Sequence, residues 1–168
     1  MENKITIRMA SIDDLRTITD IFKNAIKVMC NNGINQWDDV YPNEETIHND
    51  IMNKQMFIGE MDKNIVSVFV LNQECEEEYE NGEWQYKDSS FFIVHRLCVN
   101  PLFQGRGIGR KTMELIESFL QSNGIETIRL DAFSQNPTAL RMYENLGYKK
   151  VGEANWRMGL FYLYEKKI

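Results

Sequence analysis

The stretch from Leu97 to Thr112, LCVNPLFQGRGIGRKT, carries residue types and spacings suited to chemistry. A strand-like run leads into a proline turn, then into Gly105, Gly107 and Gly109, then into a helix start. The first turn of a helix has unpaired N–H groups and a partial positive charge, so it can hold a phosphate. Glycines let the backbone come close to a pyrophosphate. Arg106, Arg110 and Lys111 add positive charge. The spacing fits neither common phosphate loop. No glycine sits five residues before a Gly-Lys-Thr, and Arg110 stands where a G-x-G-x-x-G would need its last glycine. Glycines that serve only a turn are the alternative.

These residues need strands and helices to position them. Lys4 to Met9 alternates and predicts a short strand. Ser11 with Asp14 resembles a capping box, and Leu15, Ile18, Phe22, Ala25, Ile26 and Met29 follow helical spacing on one face until Asn31-Asn32-Gly33. Asn43 is placed to cap a second helix. Met56 to Met61 and Ile65 to Leu71 predict a hairpin about Asp62-Lys63-Asn64. Ser90 to Val99 predicts a strand, and Ile108, Thr112, Leu115, Ile116 and Phe119 a helix that Ser122-Asn123-Gly124 stops. Thr127 to Phe133 is a further strand. Pro137 and Gly147 bracket a last helix, and Tyr148 to Gly152 and Arg157 to Glu165 are final strands. Mixed strands and helices, with neighbouring strands early on, give an α/β (α+β) class with a mixed, mostly antiparallel central sheet flanked by helices.

The chain has 168 residues, 43% of them apolar and 26% charged, and fits a single domain over residues 1–168. No apolar run approaches the roughly 18 residues that cross a bilayer, so no membrane partner is expected. The start, MENKITIRMA, lacks the apolar run of a signal peptide. Cys30, Cys75 and Cys98 are odd in number and irregular in spacing, against a disulfide framework or a zinc site. A cytoplasmic protein without a metal is the expectation. Residues 73–88 hold seven acids and one base and so carry the whole net charge of −6. The neutral remainder argues against nucleic acid as a partner. With its Asn81-Gly82 turn signal, the acidic stretch reads as a solvated hairpin extension; steering of a cationic acceptor is the other use for it.

Gln104-Gly105-Arg106-Gly107-Ile108-Gly109 resembles the Gln/Arg-x-x-Gly-x-Gly/Ala hallmark of the GCN5-related N-acetyltransferase (GNAT) family. Asn136-Pro-Thr-Ala139-Leu-Arg-Met-Tyr143-Glu-Asn-Leu-Gly147-Tyr148 is similar to that family's N-x-x-A-x-x-x-Y-x-x-x-G-F/Y motif. The two occur in family order and cover about Phe91 to Gly152. The resemblance implies a GNAT fold whose sheet splays between the strands at 90–99 and 127–133, with acetyl-CoA wedged into the gap. It implies that Leu97, Cys98 and Val99 hold the pantetheine arm by main chain, one N–H there polarising the thioester carbonyl as an oxyanion donor would. Gln104, Gly105, Arg106, Gly107, Ile108, Gly109 and Arg110 would bind the pyrophosphate. Leu97 and Val99 also suit simple core burial.

Tyr143 matches the family's general acid, a phenol that protonates the departing thiolate. Asn136 suits an N-cap beside Pro137 and, by the resemblance, a cofactor contact. If the strand is regular, Ile93, His95, Leu97 and Val99 share one face. Ile93 stands where protein-lysine acetylating relatives carry glutamate. His95 stands where some small-amine acetylating relatives place a histidine, with an unperturbed pKa of about 6.5 that suits a base; a satisfied buried histidine is the alternative. Trp37 and Tyr41 lie where the family walls its acceptor site, and either pack a substrate or anchor their loop. The resemblance thus implies transfer of an acetyl group to a primary amine by direct attack in a ternary complex. By elimination the amine is a small molecule, and a homodimer is compatible. A non-catalytic acyl-CoA-binding module and an interaction subunit of the same fold are the rivals.

Overall fold

The computed structural model describes residues 3–168; Met1 and Glu2, the start of the expected domain, lie outside it. Strand β1 (Thr6–Met9) precedes helices α1 (Leu15–Asn31) and α2 (Glu44–Met52). The Ser11/Asp14 capping box is present, and Asn43 Oδ1 accepts from Thr46 N–H at 2.9 Å to cap α2. The hairpin β2 (Met56–Met61) and β3 (Asn64–Asn72) follows. Next come β4 (Phe91–Val99), α3 (Ile108–Ser122), β5 (Thr127–Phe133), α4 (Pro137–Asn145), β6 (Lys149–Trp156) and β7 (Gly159–Lys167). Strand β6 runs longer than the sequence suggests and β7 begins and ends two residues later, because their hairpin reverses in two residues, Arg157 and Met158.

The strands form one seven-stranded sheet among the described residues, in the order β1-β2-β3-β4-β5-β7-β6. Every neighbouring pair is antiparallel except β4 and β5. Alternation along the strands gives the sheet two apolar faces, each covered by helices. On one, Ile18, Phe22, Ile47 and Ile51 of α1 and α2 pack on Met56, Ile58, Val68 and Val70. On the other, Met113, Ile116 and Leu120 of α3, Tyr143 of α4 and Leu146 just after it pack on Phe69, Leu71, Val94, Ile128 and Leu130.

Two irregularities in β4 decide what the sheet can do. Its parallel pairing with β5 runs from Phe91↔Thr127 to Val94↔Leu130 and then stops, although both strands continue. Against β3, Val70 pairs with His95 but Val68 with Cys98, so one residue, Phe69, opposes two, Arg96 and Leu97. Arg96 supplies the extra residue with φ of 50°. This bulge corrects the expectation that Ile93, His95, Leu97 and Val99 share one face. A one-residue insertion reverses the alternation, so Cys98 joins the α1/α2 core while Leu97 packs with the α3/α4 core.

The acidic connection between β3 and β4 also departs from the solvated hairpin expected of it. Glu77–Asn81 forms a short 3₁₀ turn. Tyr79 and Trp84 bury against Ile93, Ala154 and Leu163, and their rings stack at 5.7 Å. Glu83 N–H donates to Val151 O, and Glu165 accepts from Gln85 N–H at 2.8 Å. Most of the acids are exposed while two aromatics beneath them pin the segment, a pattern that the charge run masks. Arg129 lies 4.5 Å over the Trp84 ring. Trp84→Ala is therefore expected to destabilise the protein by about 3–5 kcal/mol in urea denaturation. A solvated hairpin would lose no more than about 0.5 kcal/mol.

Candidate active site

Where β4 and β5 part, a cleft of about 1290 Å³ opens between the two helical layers. Leu97, Cys98 and Val99 line it, on the part of β4 that β5 leaves unpaired. At one end is the glycine loop. Gly107 is the N-cap of α3 at φ 71°, and Gly105 has φ 76°. A side chain at either position would meet nothing within 4 Å, so the left-handed backbone, not crowding, calls for glycine. At Gly109 crowding does matter: a Cβ would lie 3.1 Å from Met142 Sδ.

The first hydrogen bond of α3 runs from Lys111 N–H to Gly107 O at 3.1 Å. The six N–H groups before it, from Gly105 to Arg110, find no acceptor among the described residues. An uninterrupted run of donors at a helix N-terminus matches the oxygens of a pyrophosphate, so the site fits the cofactor that the sequence implies. Gln104, Gly105, Gly107, Ile108, Gly109 and Arg110 all line the cleft. Arg106 does not; its guanidinium lies 5.3 Å over the Phe103 ring. Arg110 pairs with Glu114 at 3.0 Å on an exposed helix face.

Opposite the loop, Asn136 Oδ1 caps α4 by accepting from Ala139 N–H at 3.1 Å, while its Nδ2 donates to Gln36 Oε1 at 2.9 Å. Two turns on, Tyr143 is buried at the cleft wall with Tyr148 and Tyr164 packed around its ring. Burial, and then the Asp131 carboxylate, push its phenol above the ordinary value.

The floor beyond the bulge is polar. Arg96 donates to Asp50 Oδ1 at 2.6 Å and Oδ2 at 3.0 Å, and to Tyr41 Oη at 2.6 Å. Burial outweighs Arg96 and lifts the Asp50 carboxyl above its usual value. Asp131, the first residue of β5 beyond the last β4 pair, lines the cleft and accepts from Tyr79 O–H at 2.6 Å on Oδ2. Burial raises its carboxyl, and Tyr79 and then Arg96 draw it back down.

His95 also lines the cleft, with Nε2 2.8 Å from Asn72 Oδ1. That oxygen already accepts from Glu74 N–H at 3.0 Å, so the His95 nitrogen facing it must be the protonated one. Burial and then the Arg96 charge lower the imidazole to about 4. Cys98, buried without a basic partner, is pushed up to about 12 and is no nucleophile at neutral pH.

The loop with Trp37 and Tyr41 crosses the cleft and is tied at three points. Gln36 holds Asn136, Asp38 accepts from Arg157 at 2.7 and 2.9 Å, and Tyr41 holds Arg96. Trp37 anchors the loop and also reaches the cleft. Its ring packs 5.5 Å from Phe22 in the core and also lines the cleft. Trp156 Nε1, on the same wall, is a buried donor with no acceptor among the described residues.

Sequence reasoning passed over Asp131, Arg96, Asp50 and Tyr79. Asp131 left one usable signal, a lone carboxylate inside the apolar strand IRLDAF. The others come together only through the bulge and the packed acidic segment.

A family model described as an acetyltransferase (GNAT) domain matches residues 25–164. The uncharacterized N-acetyltransferase YesJ of Bacillus subtilis is 24% identical over 164 residues, covering 95% of this chain and 88% of its own length. The N-alpha-acetyltransferase RimI of Mycobacterium tuberculosis is 34% identical over only 61 residues, 36% of this chain and 37% of that one. A GNAT-family acetyltransferase structure from Streptococcus agalactiae aligns with a TM-score of 0.86 at 24% identity, over 98% of this chain and 95% of that one. The PaiA N-acetyltransferase of Thermoplasma acidophilum, solved with coenzyme A, aligns with a TM-score of 0.68 at 20% identity, over 98% and 99%. No helix of the described residues is long and apolar enough to cross a membrane.

With His48 and His95 the only histidines, ring NMR resolves both. His95 is expected to stay neutral, with its proton on Nε2, until its midpoint near 4. Because its folded value lies below the ordinary 6.5, its contribution to stability is complete above that pH and is lost as the pH falls toward about 4. A midpoint at 6.5 or above would contradict this geometry.

Proposed function

The chain belongs to the GNAT family of acetyltransferases, and from that premise we propose that it acetylates a small primary amine by direct attack on acetyl-CoA in a ternary complex. The observation that carries this is the opening between β4 and β5, with free amide donors at one end and Tyr143 and Asp131 at the other. Bound acetyl-CoA supplies the thioester, and its sulfur leaves as a thiolate. The amides from Gly105 to Arg110 hold the pyrophosphate, and the free edge of Leu97–Val99 holds the pantetheine arm by main chain. Tyr143, whose burial keeps its proton in place, gives it to the departing sulfur.

A free alkyl amine with a pKa near 10.4 is only about a thousandth neutral near pH 7.4, worth roughly 4 kcal/mol, so a base must take its proton. The sequence offers His95. In the fold its Nε2 already carries a proton held by Asn72, and burial beside Arg96 makes the ring a weak base. Asp131 is better suited. Its carboxylate lines the cleft one step beyond the last β4–β5 pair, and burial raises its affinity for a proton. We assign Asp131 as the proton acceptor and His95 to the wall behind it.

The three ties of the Gln36–Tyr41 loop support a small acceptor, because they fix one wall of the cleft against the widening that a polypeptide would need. The relatives named for ribosomal-protein alanine acetylation match in sequence over only about a third of this chain, although the structure of one of them, from Escherichia coli, aligns over 98% of it with a TM-score of 0.72 at 16% identity, a likeness of fold alone. Incubation with acetyl-CoA and a panel of polyamines, amino acids, aminoglycosides and short peptides, read by mass spectrometry, tests this. One class of small amine should gain acetyl. With that amine, Asp131→Asn is expected to lower kcat/KM by about 10²–10⁴-fold, and Tyr143→Phe by at least about 10²-fold. His95→Ala should cost less than Asp131→Asn. Acetylated peptides alone would overturn the small acceptor, and no product despite protection by coenzyme A would favour a binding module.

A further inference from the structure

We propose that Tyr79 is the positioning residue for Asp131: the acidic segment between β3 and β4 exists in this fold to deliver one phenolic O–H to Oδ2, leaving Oδ1 to receive the acceptor's proton. The assignment depends on Asp131 being the proton acceptor. Antiparallel strands need as few as two residues to turn, yet residues 73–90 make this connection. The extra length is not loose. Trp84 Nε1–H donates to Tyr79 O at 2.8 Å. Asn81 Nδ2 donates to Glu153 O, and Glu165 accepts from Gln85 N–H. Gly152 lies so close that a Cβ there would meet Asn81 O at 2.9 Å. Tyr79 is thus fixed from the β6–β7 side, and its hydroxyl emerges at the cleft floor.

The geometry of that hydroxyl is specific. An O–H···O distance of 2.6 Å is short and suits a phenol donating to an ionised carboxylate. No hydrogen bond reaches Asp131 Oδ1 among the described residues. The other groups that bear on Asp131 are Arg96 from the β4 bulge, Glu76 beside the 3₁₀ turn, Tyr41 from the crossing loop and Tyr143 from α4. Arg96 already shares its charge with Asp50 and Tyr41. Tyr79 therefore supplies the direct bond that keeps a buried carboxyl ionised without a cation of its own, and it fixes which oxygen faces the amine.

Tyr79→Phe keeps the ring stacked on Trp84 and removes only the donor. Its effect is read first without any acceptor, by titrating the Asp131 side-chain carboxyl with carbon-13 NMR. The midpoint is expected to rise by about one to two pH units, because a hydrogen bond to the charged form is lost. Site-specific 3-fluorotyrosine at position 79, a stronger acid and better donor, should move it down. An Asp131 midpoint unchanged in both proteins overturns the proposal, and opposite shifts uphold it. The acidic limb of kcat/KM, measured with the amine that the panel identifies, should move to higher pH in Tyr79→Phe along with the carboxyl. A merely structural role for Tyr79 would lower the rate without moving that limb. A carboxyl that shifts while the limb stays fixed removes Asp131 from proton transfer, and with it the role given to Tyr79.

Discussion

Beyond Val94 and Leu130, the two parallel strands stop exchanging hydrogen bonds while each remains paired on its other side. Backbone groups left facing a gap need partners, and a ligand lying along the strand can supply them. The bulge at Arg96 adds a second consequence. By reversing the alternation of β4, it sends Cys98 into one core, turns Leu97 toward the other and aims the Arg96 guanidinium at Asp50. Without the gap there is no seat for an acyl carrier. Without the bulge the floor of that seat has no anchored cation. A non-glycine residue at φ 50° costs energy, and the paired guanidinium shows what holds it there.

The cleft is polarised along its length. At the α3 end, amide N–H groups and the helix dipole favour anions. At the other end Asp131, Asp50 and Glu74 line the wall, with Arg96 neutralised by the groups around it. Such a gradient suits two substrates of opposite charge, the phosphorylated carrier and the ammonium proposed above. The loop from Gln36 to Tyr41 ties the start of α4, the β6–β7 turn and the β4 bulge together along this cleft.

Much of the fold was legible because its elements carry local signals. The periodicity of α1, the Asn136-Pro137 start of α4 and the glycine stop of α3 predict those helices closely. The glycine loop was legible for the same reason, since its function depends on backbone conformation that residue types reveal. The polar floor was not. Tyr79 lies 52 residues from Asp131 and Asp50 lies 46 from Arg96, and no local pattern links residues at such range. The charge run hid Tyr79 and Trp84, because acids on the outer side outnumber the two aromatics that bury. His95 was placed rightly in the strand, but its tautomer and basicity depend on Asn72 and on burial, which only tertiary structure supplies.

The central claim is that the opened edge of β4 and the N-terminus of α3 form one seat for coenzyme A. Titration of the nitrogen-15-labelled protein with coenzyme A tests it directly, because each amide reports separately. The largest shifts are predicted at Leu97–Val99 and Gly105–Arg110, with smaller ones at Tyr143 and none along the outer strands β1 and β6. Binding that shifts other amides and leaves these unmoved, or no binding at all, would contradict the account.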